Sequence, residues 1–227
     1  MNKQLKSLLF LPAFLVLNTV QVSAQTTSTN LLGQINTITT AVPFAMISPD
    51  ARAGGMGDQG VASAPDANSI HWNPAKLAFA EKKMGIGVSY TPWLRALVND
   101  MFIAYLSGYT KMKNEQAIGA SLRYFSLGNI TFTDNNGNTI RDFKPNEFAL
   151  DLAYSRKLSD YFSGGIALRF IHSNLTGGTQ VEGQDSKAGN TVAADVSVFF
   201  QKEIEIGNKD AILMSGVNIS NIGAKIS

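Results

Sequence analysis

The sequence predicts an all-β fold: a transmembrane antiparallel β-barrel, roughly seven strands of it, preceded by a plug segment. Three observations carry that expectation. The chain opens on an export signal, its strands alternate with period two between bulky apolar and small or charged residues, and its connections alternate long and short.

The export signal comes first in the 227-residue chain. Lys3 and Lys6 give a positive start, Leu8 to Leu17 is almost wholly apolar, and Val22-Ser23-Ala24 supplies a small-residue cleavage site before Gln25. This predicts a secretory signal peptide over residues 1–24, whose apolar run is too short to span a bilayer. There is no cysteine, which excludes disulfides, a thiolate metal site and a Cys nucleophile. Charge is nearly balanced, at a formal +2, and the basic residues are scattered, so no nucleic-acid partner is expected.

Residues 25–47, rich in Thr, Asn and Ser, read as a flexible N-terminus. Residues 48–82, rich in Gly, Ala, Pro and Asp with little periodicity, read as a plug or hatch. Residues 83–227 read as a partial outer-membrane barrel, in which period-two strands dominate. In "NEFALDLAYSRKL", Phe148, Leu150, Leu152 and Tyr154 share one face, and Ala149, Asp151, Ala153 and Ser155 the other. "FSGGIALRFIHS", "AIGASLRYFSL" and "TVAADVSVFFQ" repeat the pattern. "KMGIGVSYT", "MFIAYLSGYT" and "AILMSGVNIS" complete the set with less clean alternation. One face is bulky and apolar and the other small or charged, the inside-out pattern of a barrel with lipid outside and a polar lumen. A soluble sandwich, with its bulk inside, is the competing arrangement.

The short connections fall near 111–115, 157–160 and 205–210, and the long ones near 92–100, 128–146 and 174–190. Short periplasmic turns and longer external loops orient such a barrel, so the N-terminal segment is expected on the periplasmic side. Arg123, Asp151, Arg169 and Asp195 lie on four successive strands, on the small-residue face, with alternating sign. They predict a lumen-facing charge ladder, because an Arg turned to lipid at mid-depth costs about 2–4 kcal/mol.

No motif points to catalysis or to a cofactor. Gly55-Met56-Gly57-Asp58-Gln59-Gly60 matches G-x-G-x-x-G but has no preceding strand and no βαβ unit, so it reads as a closely packed turn. His71 and His172 lack metal-ligand spacing. No G-x-S-x-G occurs. Asp134 to Asn138 has the composition of a calcium loop without its spacing, and reads as a hairpin tip. The chain is expected not to be an enzyme, although a lipid-acting barrel hydrolase is a further alternative. Trp72-Asn73-Pro74-Ala75 reads as the plug motif, with Pro74 fixing the backbone and Trp72 as a bulky anchor.

The stretch "SPDARAGGMGDQGVASAPDANSIHWNPAKLAF" resembles the N-terminal hatch of FadL-like outer-membrane barrels, with its Asn-Pro-Ala box. From Ile47 to the C-terminus the chain is similar to the PorV-like barrels of the type IX secretion system in the Bacteroidetes lineage. The resemblance implies a component that binds the C-terminal signal domain of secreted cargo at the SprA/Sov translocon. It further implies delivery to a PorU-containing sortase complex at the cell surface. The alternative implied is a FadL-like transporter of hydrophobic small molecules. The family barrel has about 14 strands against the seven read here, so the chain is expected to be truncated at its C-terminus. Trp93, Leu94, Ile130 and Phe132, apolar residues in the long connections, are the candidates for cargo or partner contact.

Overall fold

The computed structural model describes residues 42–96, 98–133, 136–175, 177, 180–181, 184–185 and 188–223. The signal peptide, residues 25–41 and the hairpin-tip residues Asp134 and Asn135 lie outside the described residues.

Seven long antiparallel strands form one sheet: β1 (Met84–Pro92), β2 (Met101–Lys111), β3 (Gln116–Leu127), β6 (Asn146–Lys157), β7 (Phe162–Asn174), β10 (Gly189–Ile206) and β11 (Lys209–Gly223). Each strand pairs with its predecessor in chain order, the up-and-down meander of half a barrel, with β1 and β11 at the two edges. The strands run from 9 to 18 residues, each long enough to cross a bilayer at the tilt of a barrel strand. Two short hairpins, β4 (Ile130–Thr133) with β5 (Thr139–Phe143) and β8 (Gln180–Val181) with β9 (Gln184–Asp185), occupy the second and third long connections. They lie off the main sheet; β4 and β5 flank the 134–138 stretch that the sequence reads as a hairpin tip, whereas β8–β9 has no counterpart in the sequence reading.

The short connections are tight turns. Gly207 (φ 55°) and Asn208 (φ 67°) join β10 to β11, between the paired residues Ile206 and Lys209. Two consecutive positive φ values make a type I′ turn, whose twist matches that of the strands it joins.

The bulky rows face outward and remain exposed: Leu152 is 60 % and Leu168 64 % accessible. They are not packed against one another as a water-soluble core. The outward face is also graded by height. Near the long connections Tyr90, Phe102 and Tyr124 follow one another at 5.2 and 6.1 Å, Tyr124 pairs across the ladder with Phe148, and Phe148 lies 6.2 Å from Phe170. Near the short turns Phe200 lies 4.9 Å from Phe162 and 6.4 Å from Tyr161. Between these belts the outward residues are aliphatic: Leu106, Leu122, Leu150, Leu152, Ile166, Leu168, Val196 and Val198. An aliphatic band between two aromatic girdles is the surface a membrane barrel presents to lipid. Among the described residues no helix is long and apolar enough to cross a membrane.

The inward face carries the segment that precedes β1. It consists of a 3₁₀ turn (Pro43–Met46), α1 (Ala51–Gly55), α2 (Ser69–Trp72) and a second 3₁₀ turn (Pro74–Phe79). Two apolar clusters hold it. Phe44 packs with Ile103, Phe125, Ala149 and Ile171 near the long connections. Ile70 and Leu77 pack with Ala117, Ala153 and Ala167 nearer the short turns. The inner face is therefore less uniformly small than its alternation suggests, because Ile103, Tyr105, Phe125, Ile171 and Phe199 face inward where the hatch covers them. Docking also begins ahead of residue 48, the boundary drawn from composition. Phe44 is buried, and Pro43–Met46 lie in the long-connection half of the sheet. The hatch thus runs along the inner face and is not confined to the mouth at the short turns.

Candidate functional site

The Asn-Pro-Ala box joins hatch and wall through backbone as well as side-chain contacts. Asn73 is fully buried. Its Nδ2 donates to the carbonyls of Val61 (3.0 Å) and Val198 (3.1 Å), tying the preceding hatch loop to β10. Its Oδ1 accepts from Ala75 N–H (3.0 Å), an N-cap for the 3₁₀ turn that Pro74 opens with its fixed φ. The same Ala75 N–H reaches Ser197 Oγ of β10 (3.0 Å), and Ser163 Oγ of β7 donates to Ala75 O (2.7 Å). Both polar groups of the Ala75 backbone are thus satisfied by the wall.

So close an approach requires missing side chains. A Cβ on Gly165 would lie 2.4 Å from Ala75 N, and one on Gly216 would lie 2.6 Å from Asn73 Nδ2. The small inner-face residues on β7 and β11 are the socket of the box. Gly60, the last glycine of the G-x-G-x-x-G stretch, has a similar explanation: a Cβ there would lie 2.1 Å from the Trp72 ring. Trp72 in turn donates Nε1–H to Asp50 Oδ2 (2.9 Å), whose other oxygen caps α1 at Ala53 N (2.8 Å). Lys76 is buried as well. Its Nζ donates to Gly60 O (2.7 Å) and Ser63 Oγ (2.9 Å), and burial lowers its pKa to about 8.

The four ladder residues all face inward and all are buried: Arg123 2 %, Asp151 0 %, Arg169 4 % and Asp195 1 % accessible. Three of them join. Asp151 and Arg169 are cross-strand partners, and Arg169 Nε donates to Asp151 Oδ1 (2.5 Å) while its Nη2 donates to Asp195 Oδ2 (3.1 Å). Ser121 Oγ supplies a further donor to Asp151 (2.7 Å). Asn221, which the sequence reading passed over, completes the group. The ladder between β10 and β11 slips between Ala194 and Val196, and Asn221 there takes a φ of 59°. This bulge brings the Asn221 N–H to Asp195 Oδ1 (2.7 Å) and its Oδ1 to Arg169 Nη1 (2.5 Å). The sequence hint was Asn itself, the non-glycine residue best suited to the left-handed region.

Arg123 does not join the ion pairs. Its cross-strand neighbours are Tyr105 on β2 and Ala149 on β6, with Asp151 two residues further along β6. Its guanidinium turns to the hatch instead. Nη1 donates to the carbonyls of Ala45 (2.9 Å) and Phe44 (3.3 Å), and Nη2 lies 2.5 Å from His71 Nδ1. Tyr105 lies beneath it, at 5.6 Å from the ring centroid. Burial, and then the positive charges of Arg123 and Arg169, hold the His71 pKa well below the usual imidazole value.

The four loop residues have unlike settings. Leu94 (52 % accessible) and Ile130 (42 %) are exposed. Trp93 packs partly against the Phe44 cluster, and Phe132 stacks under the Arg141 guanidinium at 5.1 Å. Among the described residues no group of His and acidic side chains could hold a metal ion. What the inner face offers chemically is a hydrogen-bonded hatch and a cluster of paired buried charges.

No curated protein matches the chain. The family model described as type IX secretion system protein PorV matches residues 30–227, a span that takes in the hatch, its Asn-Pro-Ala box and all seven wall strands, and the chain belongs to that family.

Proposed function

We propose that this chain is an outer-membrane component of type IX secretion that binds the C-terminal signal domain of secreted cargo at the SprA/Sov translocon. It then delivers the cargo to the PorU-containing sortase complex. The family match over residues 30–227 carries this reading. The lipid-type outer surface and the long connections gathered at one end of the wall support it. In this reading the long connections face the cell exterior and the short turns the periplasm. Leu94 and Ile130, apolar and exposed at the long-connection end, contact cargo, while Trp93 and Phe132 brace the loops that carry them. The chain works by binding, without a catalytic step or cofactor. The hatch holds the inner face, and the ladder stabilises the wall behind it.

A FadL-like transporter needs a hatch that yields to a small apolar solute. The backbone contacts at Ala75 and the glycine socket favour a hatch that stays docked at that point. The deciding experiment is affinity capture of the full-length protein from outer membranes, wild type beside Leu94→Asp/Ile130→Asp. Recovery of translocon or cargo with the wild type, and loss of cargo with the double variant, is expected. Bound fatty acid with neither protein partner would overturn the secretion reading in favour of transport.

A further inference from the structure

Arg123 and His71 form the joint between the wall and two separate stretches of hatch. Arg123 projects from β3 and grips the carbonyls of Phe44 and Ala45, while His71, in α2, faces its other terminal nitrogen. Arginine has no acceptor and keeps its charge at any accessible pH. The 2.5 Å contact therefore requires an imidazole that is neutral and bare at Nδ1, with its proton on Nε2.

We propose that this contact is a proton-operated latch: protonation of His71 sets donor against donor and charge against charge, and releases the hatch from β3 in the long-connection half of the inner face. The inference concerns the hatch alone and holds whichever cargo or solute the barrel serves.

The surrounding groups make the contact sensitive to one proton. The carboxylates of Asp151 on β6 and Asp195 on β10 are committed to Arg169 of β7, to Ser121 and to the Asn221 N–H. Asp50 of the hatch is committed to Trp72 and Ala53. Lys76 of the hatch adds no negative charge, and Tyr105 of β2 offers its ring to Arg123. Asp151 and Asp195 together balance Arg169 and Arg123, and Asp50 balances Lys76, so an imidazolium at His71 adds a positive charge that none of these groups offsets. Arg123 cannot simply swing away either, because its other terminal nitrogen holds two hatch carbonyls. His71 belongs to α2 of the hatch and not to a wall strand, so its protonation does not require the wall to unfold.

The direction of the effect follows from linkage. The docked state holds His71 neutral, whereas the released chain protonates near the ordinary value of 6.5. The released state therefore binds the extra proton, and docking weakens as pH falls through that value.

Trp72 reports on the joint, since its ring meets His71 edge-on at 4.6 Å. The chain has two tryptophans, so Trp93→Phe leaves Trp72 as sole emitter. The test is acrylamide quenching of full-length W93F in detergent from about pH 8 to about pH 4.5, with far-UV circular dichroism alongside. Expected is a several-fold rise in quenching with a midpoint below 6.5, an unchanged β spectrum, and a flat response when His71→Gln is added. Three results overturn the latch: a fall in emission without a gain in acrylamide access, loss of the β spectrum together with quenching, or persistence of the transition in H71Q. If H71Q fails to fold, W93F and W93F with His172→Gln decide between them: the same rise in both supports the latch, and its absence from the second overturns it.

Discussion

Lys76 shows what the hatch tolerates to keep its shape. Its ammonium is buried against one carbonyl and one hydroxyl, with no carboxylate among its hydrogen-bond partners. Burial of a charge so placed is unfavourable, and the fold sheds the proton early, at about pH 8 in place of 10.5. Between those values the unfolded chain binds the proton and the folded chain does not, so wild-type stability rises with pH across the window. Lys76→Met removes the titration while keeping the stem's packing. The thermal midpoint of the wild type should therefore climb relative to K76M between about pH 7.5 and about pH 10. A constant difference between the two proteins would mean that folded Lys76 keeps its proton as long as the unfolded chain does, so that burial does not lower its pKa. Other residues could be read in advance: Asn73, Pro74 and Ala75 stand out as a turn motif in the sequence. Their socket could not be read, because Gly165 and Gly216 sit in ordinary strand patterns. Only the fold places their missing side chains opposite Ala75 and Asn73.

At the scale of the strand, period-two alternation was legible because it follows directly from the pleat. The seven strands, their order and the sign of each face could all be read from it. The depth of each charge was harder, since register is set by the turns and by bulges. Asp151 and Arg169 meet as direct cross-strand partners, but Arg123 falls opposite Ala149 and turns to the hatch. Asn221 enters only through a slip in pairing that no periodicity predicts. The resulting cluster has an energetic signature. Arg169→Met alone leaves Asp151 and Asp195 buried without their cation, which should cost about 3–5 kcal/mol. Adding Asp151→Leu and Asp195→Asn, which removes both carboxylates and keeps an acceptor for the Asn221 N–H, should return most of that loss. Guanidinium unfolding of the single and triple variants in detergent checks this. A triple variant no more stable than R169M would show that the cluster's hydrogen bonds outweigh the cost of desolvating its charges.

For the whole molecule, the hydrophobic effect acts outward. The aliphatic band and its two aromatic girdles are stable only in contact with lipid, and the hatch supplies the packing that a soluble sheet would draw from a second layer. This places the two ends of the wall at opposite membrane surfaces but does not by itself say which end faces out. The asymmetry of the connections decides that in our reading: tight turns such as Gly207-Asn208 lie in the periplasm, and the connections carrying β4–β5 and β8–β9 lie outside. Because the chain has no cysteine, single thiols report the arrangement without background. Ile130→Cys, exposed at the start of β4, should react with a membrane-impermeant maleimide on intact cells. Asn208→Cys should react only after the outer membrane is permeabilised. The opposite pattern would invert the barrel, turn Leu94 and Ile130 toward the periplasm, and place the proposed cargo-binding end where the proposed surface sortase could not reach it.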